Sequence, residues 1–178
     1  MADDGAFMLA QDVAEGMYAA DAAARGLGIT IEETGPGRAT AQMAVRGTTI
    51  NSHGLCHGGM IFALADTAFA YACNAENRSN VAMSCTIDFL APGHLGEVLK
   101  AEARERLREG KTGIFDISVT GTDGRAVAEF RGLSRQIQGE SVPGLNARLG
   151  RDPDSDGGGN GDGNGDGNGE SDGDGAEA

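Results

Sequence analysis

The hydrophobic pattern of the chain changes character once, and the other elements fall into place around that change. From Met60 to Cys73 the sequence (MIFALADTAFAYAC) is apolar with almost no polar face. The run is too long for an ordinary buried strand and rich in Ala and Leu, so its spacing predicts a helix. A helix that is hydrophobic on every side must be wrapped by other elements or by lipid. At about 14 residues with an internal Asp66 it falls short of the roughly 20 needed to span a bilayer, so the expected wrapping is protein.

Upstream, Val13, Met17, Ala20 and Ala24 recur at helical spacing and predict a first helix over Ala10–Arg25, ended by Gly26 and Gly28. Alternation then predicts strands at Leu27–Glu33 and Arg38–Arg46, joined by the Thr34-Gly35-Pro36-Gly37 turn as a hairpin. Four further strands follow the apolar helix. Asn80–Leu90 is expected to turn Val81, Met83, Cys85, Ile87 and Phe89 to one face, and Glu97–Arg108 to turn Leu99, Ala101, Ala103 and Leu107 inward. Thr112–Thr120 and Ala126–Ile137 are joined by Thr122-Asp123-Gly124-Arg125, which carries an Asp-Gly hairpin signature. Alternation with one charged face belongs to half-solvated antiparallel sheet. The expected fold is α+β: a curved antiparallel sheet of five to six strands with one apolar helix in its concave side.

Composition divides the chain. Residues 1–140 read as the folded domain and 141–178 as an acidic tail rich in Gly, Asp and Asn. Of the 27 acidic and 14 basic residues, 151–178 hold 9 and 1, leaving 18 and 13 for the rest, so net charges of −8 and −5 make up the total of −13. No basic stripe exists, and nucleic acid is an unexpected partner. The tail segment Asp162-Gly-Asn164-Gly-Asp166-Gly167 matches the opening of a calcium loop, but Gly173 stands where the twelfth-position Glu is required. The acidic first residues lack the basic stretch of a signal peptide, and a cytoplasmic location without membrane attachment is expected. The odd number of cysteines (Cys56, Cys73, Cys85) suits reduced thiols.

The candidate chemistry centres on Asp66. A carboxylate in an apolar helix is costly unless something satisfies it. It reads either as a group satisfied locally or by an Arg at a subunit seam, or as a nucleophile or general base. Gly58 and Gly59, at the helix start, read as a flexible corner or as an oxyanion site of free N–H groups without a Cβ to obstruct a carbonyl. Asn51 and His57, close by, can donate or orient. His53, Cys56 and His57 offer three potential zinc ligands but no fourth and no standard spacing, so neither metal nor cofactor is expected. Gly58 and Asp66 are eight residues apart, about 12 Å along a helix at about 1.5 Å per residue. A carboxylate must approach a carbonyl carbon within about 3.5 Å to attack it. If both groups act on one carbonyl, they come from two protomers with antiparallel helices, an isologous dimer.

N-S-H-G-L-C-H-G-G-M-I-F-A-L-A-D-T-A-F-A-Y-A-C-N, residues 51–74, and S-C-T-I-D-F-L-A-P, residues 84–92, resemble the signature of hotdog-fold acyl-CoA thioesterases of the phenylacetate-degradation (PaaI) type. The resemblance spans roughly residues 8–138 and implies a sheet wrapped around the helix, dimers that pair further into tetramers, and aryl-acetyl-CoA or similar acyl-CoA substrates. It also implies roles: Asp66 as nucleophile or general base, the Gly58 N–H polarising the thioester carbonyl from the facing protomer, and Asn51 orienting carbonyl or water. His57 would support the loop, with Gly59 and Thr67 lining the substrate. Arg78, Lys111 and Arg131 are candidates for CoA's phosphates. A non-catalytic acyl-CoA-binding hotdog protein is the alternative, and it would be expected to lack the carboxylate that this chain keeps. A hotdog hydratase would want an Asp/His pair on one loop, which is absent.

Overall fold

The computed structural model describes residues 4–151; the calcium-loop likeness and the tail beyond Arg151 lie outside them. Two helices open the chain, α1 (Asp4–Ala20) and α2 (Ala22–Leu27). Six strands follow: β1 (Ile29–Gly35), β2 (Arg38–Ala44), β3 (Arg78–Phe89), β4 (Val98–Glu109), β5 (Thr112–Thr120) and β6 (Ala126–Glu140). The apolar helix α3 (Gly58–Cys73) stands between β2 and β3, and a short α4 (Leu145–Arg148) follows β6. All neighbouring strands pair antiparallel in the order β1-β2-β4-β5-β6-β3. Helix α3 contacts every one of the six strands. A flat sheet could not reach one helix with all its strands, so the sheet curves around α3.

The expected single helix over 10–25 is two helices. Asp21 breaks it by capping the second: its Oδ1 accepts from the Ala24 N–H at 2.9 Å. Gly28, at φ 70°, closes α2 in the left-handed conformation, its N–H reaching the Ala24 and Arg25 carbonyls. Gly16, which weakens a helix on propensity, serves packing instead: a Cβ there would lie 2.7 Å from Val142. Val142 and Leu145 join Leu9 and Val13 in a small second cluster. Residues 141–151 therefore continue the fold past the boundary expected at 140, with Val142 and Leu145 as apolar anchors.

The main core is filled from both sides, by Leu64, Ala65, Ala68, Phe69 and Ala72 of α3 and by Met43, Leu99, Phe115, Ile117 and Phe130 of the sheet. Two expected faces shift where the ladder carries bulges. In β4 a register shift between Glu105 and Leu107 turns Leu107 out, leaving it 53% exposed. In β3 a shift between Ala82 and Ser84 breaks the alternation: Cys85 and Ile87 pack against the core, whereas Val81, Met83 and Phe89 stay exposed. A second cause acts on β3, which is a sheet edge with a neighbour on one side only. The other edge, β1, is shielded differently: α1 packs on it, it is bulged between Ile31 and Glu33, and it carries exposed Glu32 and Glu33.

Candidate active site

The segment entering α3 is held by backbone. Ile50 and Cys56 form an isolated antiparallel bridge, as do Leu55 and His94. The Cys56 N–H donates to the Gly93 carbonyl at 2.9 Å and the His57 N–H to that of Thr49 at 2.8 Å. The 91–97 loop, whose Gly93 carbonyl receives the first of these bonds, is pinned by Glu97. Its carboxylate accepts from the His94 N–H (2.8 Å), the Thr122 N–H (3.2 Å) and the Arg125 guanidinium (2.8 Å), while Arg125 also reaches the Pro92 carbonyl. These bonds, the Arg125 guanidinium above all, hold the Glu97 carboxyl down to about 2.

Within the loop the Asn51 Oδ1 accepts from the N–H groups of His53 (2.9 Å) and Leu55 (3.2 Å). The side-chain oxygen shapes the turn, which fixes the amide and leaves its NH2 available as a donor. His57 is the N-cap of α3, in extended backbone conformation, and its Nδ1 accepts from the Gly59 N–H at 3.0 Å. The two glycines thereby separate. Gly59's N–H is engaged by the cap, whereas that of Gly58, at the first helical position, points along the helix dipole with no intrahelical acceptor available to it. A Cβ on Gly58 would sit 3.2 Å from the Phe89 ring, so an apolar wall stands beside that N–H.

Asp66 lies two turns further along α3, on a half-buried stripe with Met60, Phe62, Ala63, Thr67 and Ala70. The chain's own sheet covers one side of α3 and leaves the Asp66 side partly open. Burial pushes the Asp66 carboxyl above its ordinary value of 3.8, and a weak hydrogen bond from Cys85, Sγ to Oδ1 at 3.9 Å, pulls it back in part. Burial and the Asp66 charge raise the Cys85 thiol. Cys85 belongs beside the predicted residues. Its signal in the sequence was its inward place in Ser84-Cys85-Thr86-Ile87, but the pairing with Asp66 is a tertiary contact. Thr67 is turned to its own helix, its Oγ1 donating to the Ala63 carbonyl at 2.8 Å. Cys56 is buried, with its thiol pushed up to about 11, and makes a poor nucleophile. Among the described residues no three His, Cys, Asp or Glu side chains gather as metal ligands, and no helix is long and apolar enough to cross a membrane.

The structure thus gathers Asn51, His57, Gly58 and Gly59 at the helix start and sets Asp66 with Thr67 and Cys85 two turns away. A helix-start N–H without an intrahelical acceptor, a raised carboxyl and an apolar ring are groups that acyl transfer can use. The thioesterase superfamily model matches residues 53–128, and the chain belongs to that family, as a thioester hydrolase of the hotdog fold. The particular likeness is to the acyl-coenzyme A thioesterase PaaI of Escherichia coli (strain K12), 47% identical over 126 residues, which are 71% of this chain and 90% of the relative. The solved structure of the E. coli PaaI protein from the phenylacetic acid degradation operon superposes with a TM-score of 0.74 at 45% identity, covering 75% of this chain and 97% of that one. A mutant of the phenylacetic acid degradation protein PaaI from Thermus thermophilus gives a TM-score of 0.62 at 33% identity, over 64% and 97% of the two chains.

Proposed function

We propose that this thioesterase hydrolyses aryl-acetyl-CoA thioesters, phenylacetyl-CoA or a hydroxylated analogue, in the cytoplasm and as an isologous dimer, with dimers pairing further into tetramers. The observation that carries the reading is the placement of Asp66. It lies on the uncovered side of α3, eight residues and about 12 Å along the helix axis from the free Gly58 N–H of its own chain. One carbonyl cannot meet both, but a second copy with its α3 antiparallel brings its Gly58 opposite this Asp66. The exposed apolar residues of β3, Val81 (45%), Met83 (59%) and Phe89 (53%), give that second copy a surface to cover.

In the proposed site the Gly58 N–H of the facing protomer holds the thioester carbonyl and stabilises the oxyanion that forms on it. The Asn51 amide orients the carbonyl or the water. Asp66 acts as nucleophile or as general base. Either route forms a new C–O bond at the acyl carbon, breaks the C–S bond and releases CoA thiol and the free acid. A thioester carbonyl is electrophilic enough that one carboxylate, one oxyanion donor and one water suffice. The apolar groups beside the site, Phe62 and Phe89, suit an aromatic acyl end, and the phenylacetic acid operon of the E. coli relative points the same way.

A panel of acyl-CoA substrates assayed by thiol release tests the substrate class. Asp66→Asn retaining wild-type rates across that panel would overturn the catalytic assignment. Mixing Asp66→Ala chains with Asn51→Ala chains tests the shared site. Heterodimers regain one intact site if Asn51 and Asp66 of one site come from different chains, and activity no higher than that of the parents places both in one chain.

A further inference from the structure

At the end of the sheet remote from Phe89, a cavity of about 890 Å³ is walled by Arg78 at the start of β3, Lys111 in the β4–β5 turn, Arg135 on β6 and Asn146 of α4. Arg78, Lys111 and Arg135 form no ion pair among the described residues, although six other cations do, Arg131 on Asp116 among them. Arg135 donates instead to Thr112 Oγ1 at 3.4 Å. The one carboxylate in the wall, Glu140, stands opposite Arg78 in the ladder but accepts from the Gly144 N–H. Like charges around one opening repel one another, so the wall favours an anion.

The chain carries such an anion beside the cavity. The Arg151 N–H donates to the Asn146 carbonyl at 2.9 Å, so residues 152–178 begin at the cavity wall. They hold nine Asp or Glu and no Lys or Arg, and they open with Asp152-Pro153-Asp154-Ser155-Asp156. Carboxylates at every second position share one side of an extended backbone, and a proline biases the residue before it toward that backbone. Extended, this stretch spans about 13 Å at about 3.3 Å per residue. The cations are spread over a similar length. Arg135 pairs with Thr112, next to Lys111, and with Val81, three residues or about 10 Å along β3 from Arg78. A short tether supplies an effective concentration in the millimolar range, so charge pairs too weak to hold a free peptide can hold this one. We propose that residues 152–156 seat in this cavity of their own chain, with Asp152, Asp154 and Asp156 on Arg78, Lys111 and Arg135, as an acidic strap that salt releases. At low ionic strength the strap closes this end of the sheet to other anions. At about 1 M salt, where screening acts over about 3 Å, the cavity stands open.

Carbodiimide coupling on the full chain tests this, because the reagent joins a carboxylate to an amine only where the two meet. The chain has two lysines, and Lys100, which contacts Glu102 at 2.8 Å, serves as an internal control. At low salt, peptide mapping should find Lys111 joined to Asp152, Asp154 or Asp156. Arg78→Gln/Arg135→Gln keeps the reporting amine and should lower that yield about tenfold, as should about 1 M salt. Asp152→Asn/Asp154→Asn/Asp156→Asn leaves six carboxylates in the tail and should remove the Lys111 product. No Lys111 amide while the Lys100 control reacts, or an undiminished yield in either variant or in high salt, overturns the proposal. In mixtures of isotope-labelled and unlabelled chains, the amides should join peptides of one label. Mixed pairs would seat the tail on a second copy and overturn the assignment to its own chain.

Discussion

The sheet fixes the height of α3 through one glycine, and adding a methyl group there should move Asp66 and, with it, the proposed chemistry. Gly132 of β6 pairs with Phe115 on one side and Cys85 on the other, and a Cβ at this position would lie 2.8 Å from three carbons of the Phe69 ring. Carbon pairs prefer about 3.5–4.0 Å, so Gly132→Ala demands a retreat of about 1 Å. The ring has nowhere to swing: Phe69 is 1% exposed, with Phe115 and Phe130 centroids at 5.4 and 6.1 Å. The strain passes to α3, which carries Asp66 three residues before Phe69. Overpacking of this kind costs about 1–3 kcal/mol, and a misplacement of about 1 Å at the reacting group costs about a hundredfold in rate. We expect Gly132→Ala to lower the urea midpoint accordingly and kcat by about ten- to a hundredfold. Phe69→Leu in the same chain should restore part of both, since it removes the far ring carbons. A variant destabilised as expected but with kcat within twofold of wild type would refute the link between Phe69 seating and Asp66 position. A variant as stable as wild type would refute the packing argument itself.

Four further outcomes concern His57, Asp66 and Glu97. His57→Ala removes the acceptor for the Gly59 N–H, which should cost about 0.5–2 kcal/mol in thermal unfolding together with activity, and His57→Asn should recover most of the stability. Burial raises the Asp66 carboxyl, and in the proposed mechanism the reactive form is the carboxylate, so the acid limb of kcat against pH should inflect above 3.8; Cys85→Ala, which removes a donor favouring the charged form, should move that limb further up. By the same sign the ionised carboxylate weakens the fold above its raised pKa, so Asp66→Asn should melt higher than wild type at neutral pH. Glu97 shifts the other way, from 4.5 down to about 2, so its stabilisation is complete above about pH 4.5 and is lost as pH falls toward 2. Glu97→Gln should cost about 1.5–3 kcal/mol at pH 7 and flatten that acid-side loss in pH-dependent melts.

The apolar helix and β5 were legible because periodicity and flanking turns agree there: Thr112–Thr120 is bounded by Gly110 and by Asp123-Gly124, and its inward residues alternate without a break. Boundaries moved where a single polar residue did two jobs. Asp21 could continue a helix or cap the next, and only the packing of α2 beside β1 selects the cap. Bulges leave no mark that periodicity can read, which is why Leu107, Val81 and Met83 pointed out rather than in. At the site, the residues adjacent in sequence (Asn51, His57, Gly58, Gly59) could be grouped from spacing alone. What spacing could not supply was the division of labour between the glycines, which depends on a ring rotamer at His57, or the approach of Cys85 to Asp66 across 19 residues.

The two edges of the sheet differ in how they meet another strand. β1 carries a bulge and two glutamates and lies under α1, features that discourage further strands from joining an edge. β3 is longer and, although it too is bulged and exposes Asp88, it leaves Val81, Met83 and Phe89 exposed. A sheet whose two edges are unequally defended can add a single copy of itself and then stop: in the proposed isologous dimer, pairing of β3 would leave only β1 edges facing outward. The asymmetry works as a chain terminator. In the proposed dimer it lets the protein keep a strand with exposed apolar side chains beside the proposed catalytic carboxylate without the risk of growing into a fibre.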